Sequence, residues 1–524
     1  MNLELHWLDM TMLGLYLTAI AMMGIWFSRK NISTEEYFVG GRSFPGWAVG
    51  LSLVGTSISS VTFLAYPADS FKSSWIRLLP LITLPVAVLI ASRIFIPFFR
   101  RGRVTSAYEY LEWRFGRGIR LYASVTFVLG QLIRNSMILY LVSLLMYEMT
   151  GLHLITCIFF SGVFVAFYTV IGGINAVIWT DIIQTVVLAL GGIVTLGVII
   201  AKLPGGFGEI FSVATSHGKF SFSELVNGEL HPISWNISLH SKTGTMLLLM
   251  GLTYWLTEYC GNQNIVQRYV ASKSAKEARK AMWICTWSSL SIWVFFMFLG
   301  TALFVFFKAF PSPEVAEMLE GSRKAEHIFP FYIIHYLPPG ITGLLIVAAL
   351  AAAMSSLDSS INAVSTVCVV DLYRRFCVKG RDDRHYLLMA KLFAALMGVL
   401  MIGGAILLVW IETKTLRDTG AILSSLLAGG LLAIYLMGFL TRRGDARAVG
   451  IGIICTIIFS VWAVLSNKGI LPDWMSAPFE LYYTSIIGNL IMFIVGFAIG
   501  TLLPKKERDL TNLTVWDQDS TPVE

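Results

Sequence analysis

A cluster of oxygen-bearing side chains lies inside an otherwise apolar stretch of the sequence. Ser355, Ser356, Asp358, Ser359 and Ser360 interrupt a long aliphatic run. A carboxylate at the centre of a membrane helix costs about 2.5 to 3.5 kcal/mol on insertion scales. Hydroxyl and carboxylate oxygens are the ligands that hard cations such as Na⁺ prefer. The cluster therefore predicts an ion-binding site within a membrane.

Helical spacing divides this cluster between two adjoining faces. Side chains three, four and seven residues apart share one face of a helix. One face carries Ala352, Ser355, Ser356 and Ser359, and the adjoining face carries Ser355, Asp358, Ser359 and Asn362. Two oxygen-lined faces could hold two cations. The alternative is a single polar seam packed against another helix, with one ion site or none.

Two further apolar stretches are interrupted near their middle. The first, 46–68, carries Gly55, Thr56, Ser57, Ser59, Ser60, Thr62 and Pro67. The second, 244–262, carries Glu258, Gly261 and Asn262. Isolated Ser and Thr side chains often only allow helices to pack closely. Dense clusters in matched positions instead favour two broken helices that free backbone carbonyls, as in transporters built from inverted repeats.

Charged residues within apolar stretches narrow the chemistry. Arg134 has apolar or neutral residues on both sides. It could pair with Glu258 or Asp181, or it could offer a planar guanidinium to a substrate carboxylate, for which arginine suits better than lysine. Arg77 opens the third apolar stretch, 77–99, and its side chain could extend to the membrane surface, as we expect for Arg93 near the other end of that stretch.

The elements that position these residues are membrane spans. Of 524 residues, 56% are hydrophobic and only 14% are charged, whereas about a quarter are charged in a typical soluble domain. Apolar stretches of 18 or more residues can each cross a bilayer. The first lacks a cleavage site and is too long for a signal peptide. We predict an all-α integral membrane protein with about thirteen spans, near 8–27, 46–68, 77–99, 121–149, 153–173, 177–201, 244–262, 280–308, 337–370, 386–411, 419–440, 448–465 and 483–503.

Basic residues lie in alternate loops and predict the orientation. They include Arg29, Arg114, Arg120 and Arg268, whereas the opposite loops, such as 202–243, are poor in lysine and arginine. The positive-inside rule then places the amino terminus outside and the carboxyl terminus in the cytoplasm. The net charge of +7 is explained by topology and by contact with anionic lipid headgroups, without nucleic acid.

Other classes of protein fit less well. A channel would need a continuous polar pore, yet the polar residues gather near the middle of a few spans. An enzyme would need a catalytic constellation, and neither the eight histidines nor the six cysteines show metal-ligand spacing. We therefore expect no enzymatic activity. A solute sensor is an alternative, although no signalling domain follows the last span.

Several ordered motifs carry a resemblance to a known family. They are EYFVGGRSFPGW (36–47), TSISSVTF (56–63), FFRRGRVTSAYEYLEWRF (98–115), GGINAVIWTDIIQ (172–184), NQNIVQRY (262–269) and AAAMSSLDSSINA (351–363). With these motifs the chain resembles the sodium/solute symporter family from about residue 10 to 503, and within it the bacterial sodium/sialic acid symporters.

The resemblance implies a fold and a mechanism. The fold is a LeuT-like inverted-repeat core of five plus five helices, at about 46–201 and 244–440, within one transporter domain, 1–503. The mechanism is alternating access driven by inward Na⁺ movement in the cell membrane. The tail, 504–524, is polar, and we expect it to be cytoplasmic and disordered.

The resemblance also implies ion sites. The first sodium site would use carbonyls of Gly55, Ile58 and Ala352 and hydroxyls of Ser355 and Ser356. A second would use Asp181, Asp358 and Ser359, together with Ser355. The sialic acid symporters have serine at the position of Asp358. An added carboxylate there could strengthen cation binding, or it could stay protonated and alter coupling.

The implied substrate is a small organic solute, with a carboxylate-bearing one such as sialic acid as the leading candidate. Ser57, Ser59, Thr62 and Arg134 match substrate-contacting positions. Arg77 stands where those symporters have an aromatic residue, and Leu81 where they have glutamine. Arg77 could add a second cationic contact to the substrate site, which would favour a more acidic substrate. Another sugar acid, a monocarboxylate or a neutral sugar is the alternative. We expect Na⁺, the solute and membrane lipid as partners, with no nucleic acid and no obligatory protein partner.

Overall fold

The chain folds as a bundle of helices with one small hairpin. The structure, a computed structural model, describes residues 6–101, 104–226, 228–410, 430–467, 469–504 and 509–517. In chain order the helices are α1 (Trp7–Ser28), α2 (Thr34–Val39), α3 (Gly46–Ser57), α4 (Ser60–Lys72), α5 (Leu78–Leu81), α6 (Leu84–Arg93), α7 (Phe95–Arg101), α8 (Ala107–Phe115), α9 (Arg117–Thr150), α10 (Leu154–Lys202), α11 (Gly206–Ser216), α12 (Gly244–Gly261), α13 (Gln263–Ala271), α14 (Ala275–Ala309), α15 (Pro313–Glu320), α16 (Ile328–Tyr336), α17 (Ile341–Val367), α18 (Asp383–Trp410), α19 (Leu431–Leu440), α20 (Ala446–Asn467) and α21 (Tyr483–Leu502).

Shorter elements join these helices. A π-helical segment, Cys368–Cys377, continues α17, and short 3₁₀ turns lie at Gly40–Arg42, Ala325–His327 and Asp473–Met475. The connection between α10 and α12 contains α11 and an antiparallel hairpin of β1 (Ser223–Val226) and β2 (Glu229–Pro232). The sequence did not predict these elements, nor α15 and α16, because short amphipathic pieces between membrane spans carry little apolar signal.

The second predicted span is a broken helix. α3 ends at Ser57, α4 begins at Ser60, and the two helices are inclined by 59°. Ile58 and Ser59 are extended between them. The Ser59 side chain caps α4 by accepting a hydrogen bond from Val61 N at 3.3 Å. Because the helix stops here, carbonyls at the end of α3 lack helical partners, and the predicted break is confirmed.

The predicted interruption of the seventh span is also present. α12 ends at Gly261, Asn262 is extended with φ −85° and ψ 112°, and α13 begins at Gln263. The Asn262 side chain caps α13 by accepting a hydrogen bond from Asn264 N at 2.9 Å. Two broken helices therefore occupy the matched positions that the sequence indicated.

Some predicted spans have different boundaries. The fifth and sixth form the single long helix α10, which changes direction at Gly173 (φ 55°, ψ −161°). A side chain at this residue is excluded twice, since φ is in the left-handed region and a Cβ would lie 2.7 Å from Tyr37 Cδ2. The third span is divided into α5, α6 and α7. In the eleventh predicted span, 419–429 lie outside the described residues.

The chain is a multi-pass membrane protein. Among the described residues, eight helices are long and apolar enough to cross a membrane, or nine when α3 and α4 count as one bent span. The total of thirteen stays a prediction. At the centre lies α17, whose residues from Leu345 to Val367 are all buried. It packs against α10, α9, α1, α18 and α3, so its polar cluster is sealed from lipid.

Three arginines assigned to basic loops are instead buried, which corrects that interpretation. Arg114 donates to the carbonyls of Gly438, Thr441, Arg443 and Gly444. Arg120 pairs with Asp371 at 2.6 Å and with Glu112 at 2.8 Å. Arg268 is 1% exposed. Each is compensated by oxygen acceptors, which is the condition for burying a charge.

Residues 509–517 of the tail, for which composition predicts disorder, contact the end of α19. Val515 N donates to Phe439 O at 2.9 Å, and Trp516 Nε1 donates to Leu440 O at 2.7 Å. Tyr110 Oη donates to Leu513 O at 2.9 Å. These contacts satisfy backbone groups at the end of α19, which composition alone does not indicate. The rest of the tail, 505–508 and 518–524, lies outside the described residues.

Candidate functional site

A cavity lies where the two broken helices approach each other. Its unfilled space of about 320 Å³ includes open solvent. Its lining comes from the end of α3, from α9, and from the break between α12 and α13: Thr56, Ser57, Arg134, Tyr254, Trp255, Glu258, Asn262, Asn264 and Ile265. Polar groups from both breaks thus converge on one space.

Arg134 faces this cavity together with Glu258. The two opposite charges attract each other, and within the described chain no ion pair or hydrogen bond holds the Arg134 guanidinium. Of the two partners considered for Arg134, Asp181 is paired with Arg268 instead. The guanidinium is therefore available to a ligand, with Glu258 as its neighbour.

The structure separates the predicted substrate-binding residues. Ser57 and Arg134 line the cavity, whereas Ser59, Thr62 and Arg77 are not among its described lining residues. Ser59 caps α4, and the Thr62 side chain is buried. Arg77 forms an ion pair with Asp69 near the end of α4.

Four cavity residues of α12 and its break went unassigned in the sequence analysis. Tyr254, Trp255, Glu258 and Asn262 lie on one face of α12 at spacings close to one and two helical turns. That spacing was a readable signal, because Glu258 is the charged residue of an otherwise apolar helix. Thr56 and Asn264 gave no comparable signal, since hydroxyl and amide residues are common in both motifs.

The residues of the predicted first sodium site come together across the break in α3. Ser355 Oγ lies 2.9 Å from Gly55 O and 3.3 Å from Ala352 O. Ser356 Oγ lies 3.5 Å from Thr56 O. Ile58 is extended at the break. All of these groups are oxygen ligands on buried residues, a donor set that fits a hard monovalent cation.

Close packing of helices makes this arrangement possible. A Cβ on Gly55 would lie 3.1 Å from Thr185 Oγ1 and 3.2 Å from Asp181 O. A larger residue would push α3 away from α10. The absence of a side chain at Gly55 therefore brings the broken end of α3 beside both α10 and α17.

Asp181 and Ser359 are joined by Arg268, a residue that the sequence analysis did not place in the site. Asp181 Oδ2 accepts hydrogen bonds from Ser52 Oγ at 2.6 Å and from Arg268 Nη2 at 2.9 Å. Arg268 Nη2 also donates to Ser359 Oγ, and its Nε donates to Ser52 Oγ at 2.8 Å. A positive charge at the predicted second cation position is thus supplied by the protein itself.

Asp358 points into a neighbouring part of the same network. Its Oδ2 accepts hydrogen bonds from Tyr168 Oη at 2.7 Å and Thr180 Oγ1 at 3.4 Å. Its Oδ1 accepts one from Ser359 Oγ at 3.3 Å. Asp358 is fully buried, and the hydroxyl groups of Tyr168, Thr180 and Ser359 that donate to it are all neutral. Ser359 therefore links Asp358 to the group formed by Asp181 and Arg268.

The chain is similar to known proteins over most of its length. The model of the sodium:solute symporter family matches residues 37–455. The sodium/sialic acid symporter SiaT of Proteus mirabilis is 31% identical over 497 residues, which is 94% of this chain and 95% of SiaT.

Two solved structures share the fold. A Na⁺-coupled sialic acid symporter, in a substrate-bound outward-open state with a novel Na⁺ site, matches with a TM-score of 0.85 and 29% identity, over 96% of this chain and 99% of that one. Mhp1, a nucleobase-cation-symport-1 family transporter in a closed conformation with bromovinylhydantoin bound, matches with a TM-score of 0.51 and 14% identity, over 88% and 93% of the two chains.

These likenesses confirm the LeuT-like, all-α membrane fold that the motifs implied. The family consists of transporters rather than enzymes, and sodium is its coupling ion. With the family model covering most of the sequence and SiaT matching nearly all of it, the chain belongs to the sodium:solute symporter family.

Proposed function

We propose that this protein imports a small carboxylate-bearing solute together with Na⁺, with sialic acid as the leading candidate. The observation that carries the proposal is that Arg134 faces a cavity whose wall, at Thr56 and Ser57, is the broken end of α3. The same broken end provides the carbonyl of Gly55 to Ser355. The ion and the solute would therefore both contact the backbone at the end of α3.

Shared contacts give a physical basis for coupling. A cation bound between Gly55, Ile58, Ala352, Ser355 and Ser356 would hold α3 against α17. This would order the wall that the solute contacts, so each ligand would raise the affinity for the other. In the same cavity, a solute carboxylate would accept two parallel hydrogen bonds from Arg134.

A second cation position is proposed around Asp181, Asp358 and Ser359. Asp181 and an ionised Asp358 would together carry two negative charges beside the single guanidinium of Arg268, which would leave one negative charge for a further monovalent cation. Asp181 Oδ1 is buried and has no hydrogen-bond partner among the described residues, so it is a free acceptor. A Na⁺ at this oxygen would complete the neutralisation that Arg268 begins.

The number of ions matters energetically. One Na⁺ moved with a monoanion carries no net charge, whereas two carry one positive charge inward. That charge gains about 2.3 kcal/mol per 100 mV of membrane potential, which corresponds to roughly a 50-fold gain in accumulation. We propose two ions on the grounds of the charge balance at Asp181 and Asp358.

We propose a location in the cell membrane with the amino terminus outside and the carboxyl terminus in the cytoplasm. Support comes from the bias of basic residues between alternate loops, including Arg29, Lys30, Arg374 and Arg375. These side chains would contact anionic headgroups on the inner leaflet. The three buried arginines do not weaken the bias, because exposed basic residues remain in the same loops.

Uptake into proteoliposomes tests the proposed function. We expect ²²Na⁺ influx to rise when a carboxylate-bearing solute such as sialic acid is added, and Arg134→Ala to abolish that rise while Na⁺ binding persists, because the carboxylate loses its charged donor. The matched control is Arg93→Ala, which removes an arginine outside the cavity. Solute-stimulated influx of normal size in Arg134→Ala would contradict the carboxylate contact, and no coupled influx with any carboxylate would contradict the function.

Replacing Ser355 tests the first ion site. We expect Ser355→Ala to raise the Na⁺ concentration for half-maximal uptake about tenfold or more, since one ligand and the contact with Gly55 O are lost. Ser365→Ala is the control, because Ser365 lies on α17 and donates to Ala390 O, away from the break. The measurement is the Na⁺ dependence of initial uptake rates. An unchanged dependence in Ser355→Ala would exclude this residue as a ligand.

Replacing Asp358 tests the second position. We expect Asp358→Ser to lower the number of Na⁺ ions moved per solute from two to one, because the remaining Asp181 is already balanced by Arg268. The ratio is measured from the membrane potential at which net flux reverses under known gradients. A ratio that is the same in the wild type and the variant would show that Asp358 does not support ion binding.

A further inference from the structure

The acidic residue beside Arg134 is unexpected for a cavity that takes a simple anion. Glu258 and Arg134 are the two charged residues among the described lining. Their formal charges cancel, so the cavity offers no net attraction to a lone carboxylate. A solute with only a negative group would gain Arg134 and at the same time approach the Glu258 carboxylate, which repels it.

Glu258 is held in place by the break in its own helix. Asn262 Nδ2 donates to Glu258 Oε2 at 2.7 Å. The other end of the Asn262 amide accepts the Asn264 N–H at 2.9 Å as the cap of α13. The cap therefore fixes the amide, and the amide orients the carboxylate toward the cavity. Such orientation before binding favours a ligand group of matching charge.

The rest of the wall is compatible with a cationic group near Glu258. Tyr254 and Trp255 line the cavity beside it, and their rings meet edge to face with centroids 4.9 Å apart. The Trp255 indole is anchored by a hydrogen bond from Nε1 to Pro80 O at 3.2 Å. Aromatic faces attract ammonium groups. A carboxylate and two aromatic rings of α12 thus line the cavity together with Arg134 of α9, whose charge is opposite to that of Glu258.

We propose that the transported solute is a zwitterion, with its carboxylate on Arg134 and a basic amine on Glu258. This inference rests on the proposed function, Na⁺-coupled import of a carboxylate, and replaces N-acylated sialic acid as the leading candidate with carboxylates that also carry a free amine. An N-acylated sugar acid would meet Glu258 only with neutral hydroxyl and amide donors. It would then lose the charge-assisted hydrogen bond, which is about twice as strong as a neutral one.

Paired ligands test the zwitterion directly. The purified full-length protein is heated in Na⁺ with the twenty standard amino acids, β-alanine and 4-aminobutyrate, with their N-acetyl derivatives, and with N-acetylneuraminate. We expect at least one free amino compound to raise the melting temperature, and its N-acetyl derivative to bind about tenfold more weakly or worse. Na⁺-driven uptake of the same compound into proteoliposomes shows that the ligand is also transported.

Neutralising Glu258 supplies the second arm. We expect Glu258→Gln to weaken binding of the free amino compound about tenfold, and to leave the affinity for its N-acetyl derivative unchanged or higher. The variant should therefore lose the preference for the free amino compound. Glu148→Gln is the control, since Glu148 pairs with His327 outside the cavity, and it should keep the wild-type preference.

The outcomes separate this inference from the proposed function. Na⁺-coupled uptake of N-acetylneuraminate, with no binding of any free amino compound, would overturn the zwitterion and leave the carboxylate symporter standing. An unchanged preference in Glu258→Gln would also overturn it, because the amine would then bind elsewhere. A protein that moves no carboxylate of either kind with Na⁺ would overturn both.

Discussion

The hydrogen bond from Ser355 to the carbonyl of Gly55 is the contact on which the rest of the site depends. It crosses from α17, the most buried of the described membrane-spanning helices, to the point where α3 loses its helical hydrogen bonds. In a membrane such a carbonyl has no water to satisfy it, so a protein hydroxyl or an ion must do so. The broken end of α3 therefore depends both on Gly55, which lets it approach α10, and on the hydroxyls of α17, which satisfy its free carbonyls. The cavity is the other side of the same break.

The buried charges follow the same constraint. Arg268, Asp181 and Asp358 are fully buried, and Ser52, Ser359, Tyr168 and Thr180 surround them with donors and acceptors. Groups of this kind are expensive in a membrane unless they are paired. These charged groups lie beside the broken helix, and their hydrogen bonds join α3, α10, α13 and α17. If an ion binds at Asp181 as proposed, we expect it to change how these four helices pack.

Much of this could be predicted from the sequence because polar residues inside apolar spans carry a strong signal. The hydroxyls of 56–62 and 355–360 and the interruption at Gly261 and Asn262 indicated both broken helices and the polar face of α17 that we propose binds ions. Arg268 was missed because a basic residue that precedes a polar stretch is typical of a cytoplasmic loop. Arg268 can be buried because it pairs with Asp181. Asp181 is distant in sequence, so the residues around Arg268 do not indicate this burial. The packing of 509–517 against α19 was missed for the same reason.

Glu258 shows a different limit. Its position on α12 was visible as an interruption, and it was one of two possible partners for Arg134. The fold was needed to show that Glu258 and Arg134 line one cavity, whereas Asp181 pairs with Arg268. The number of spans depends on whether the two sides of a kink or break count as one span or two, as at Gly173 within α10. Local pattern thus locates polar sites, whereas pairing between distant helices determines their charge and therefore their ligand.

The most direct test of the central claim is hydrogen–deuterium exchange of the full-length protein in Na⁺ and in K⁺ at equal ionic strength, without solute. If Na⁺ bridges α3 and α17, the backbone amides around the break, at 55–62, will exchange more slowly in Na⁺ than in K⁺, because ion binding suppresses local opening. Peptides of α20 should show no difference. Equal exchange at 55–62 in the two salts would contradict an ion site at the break.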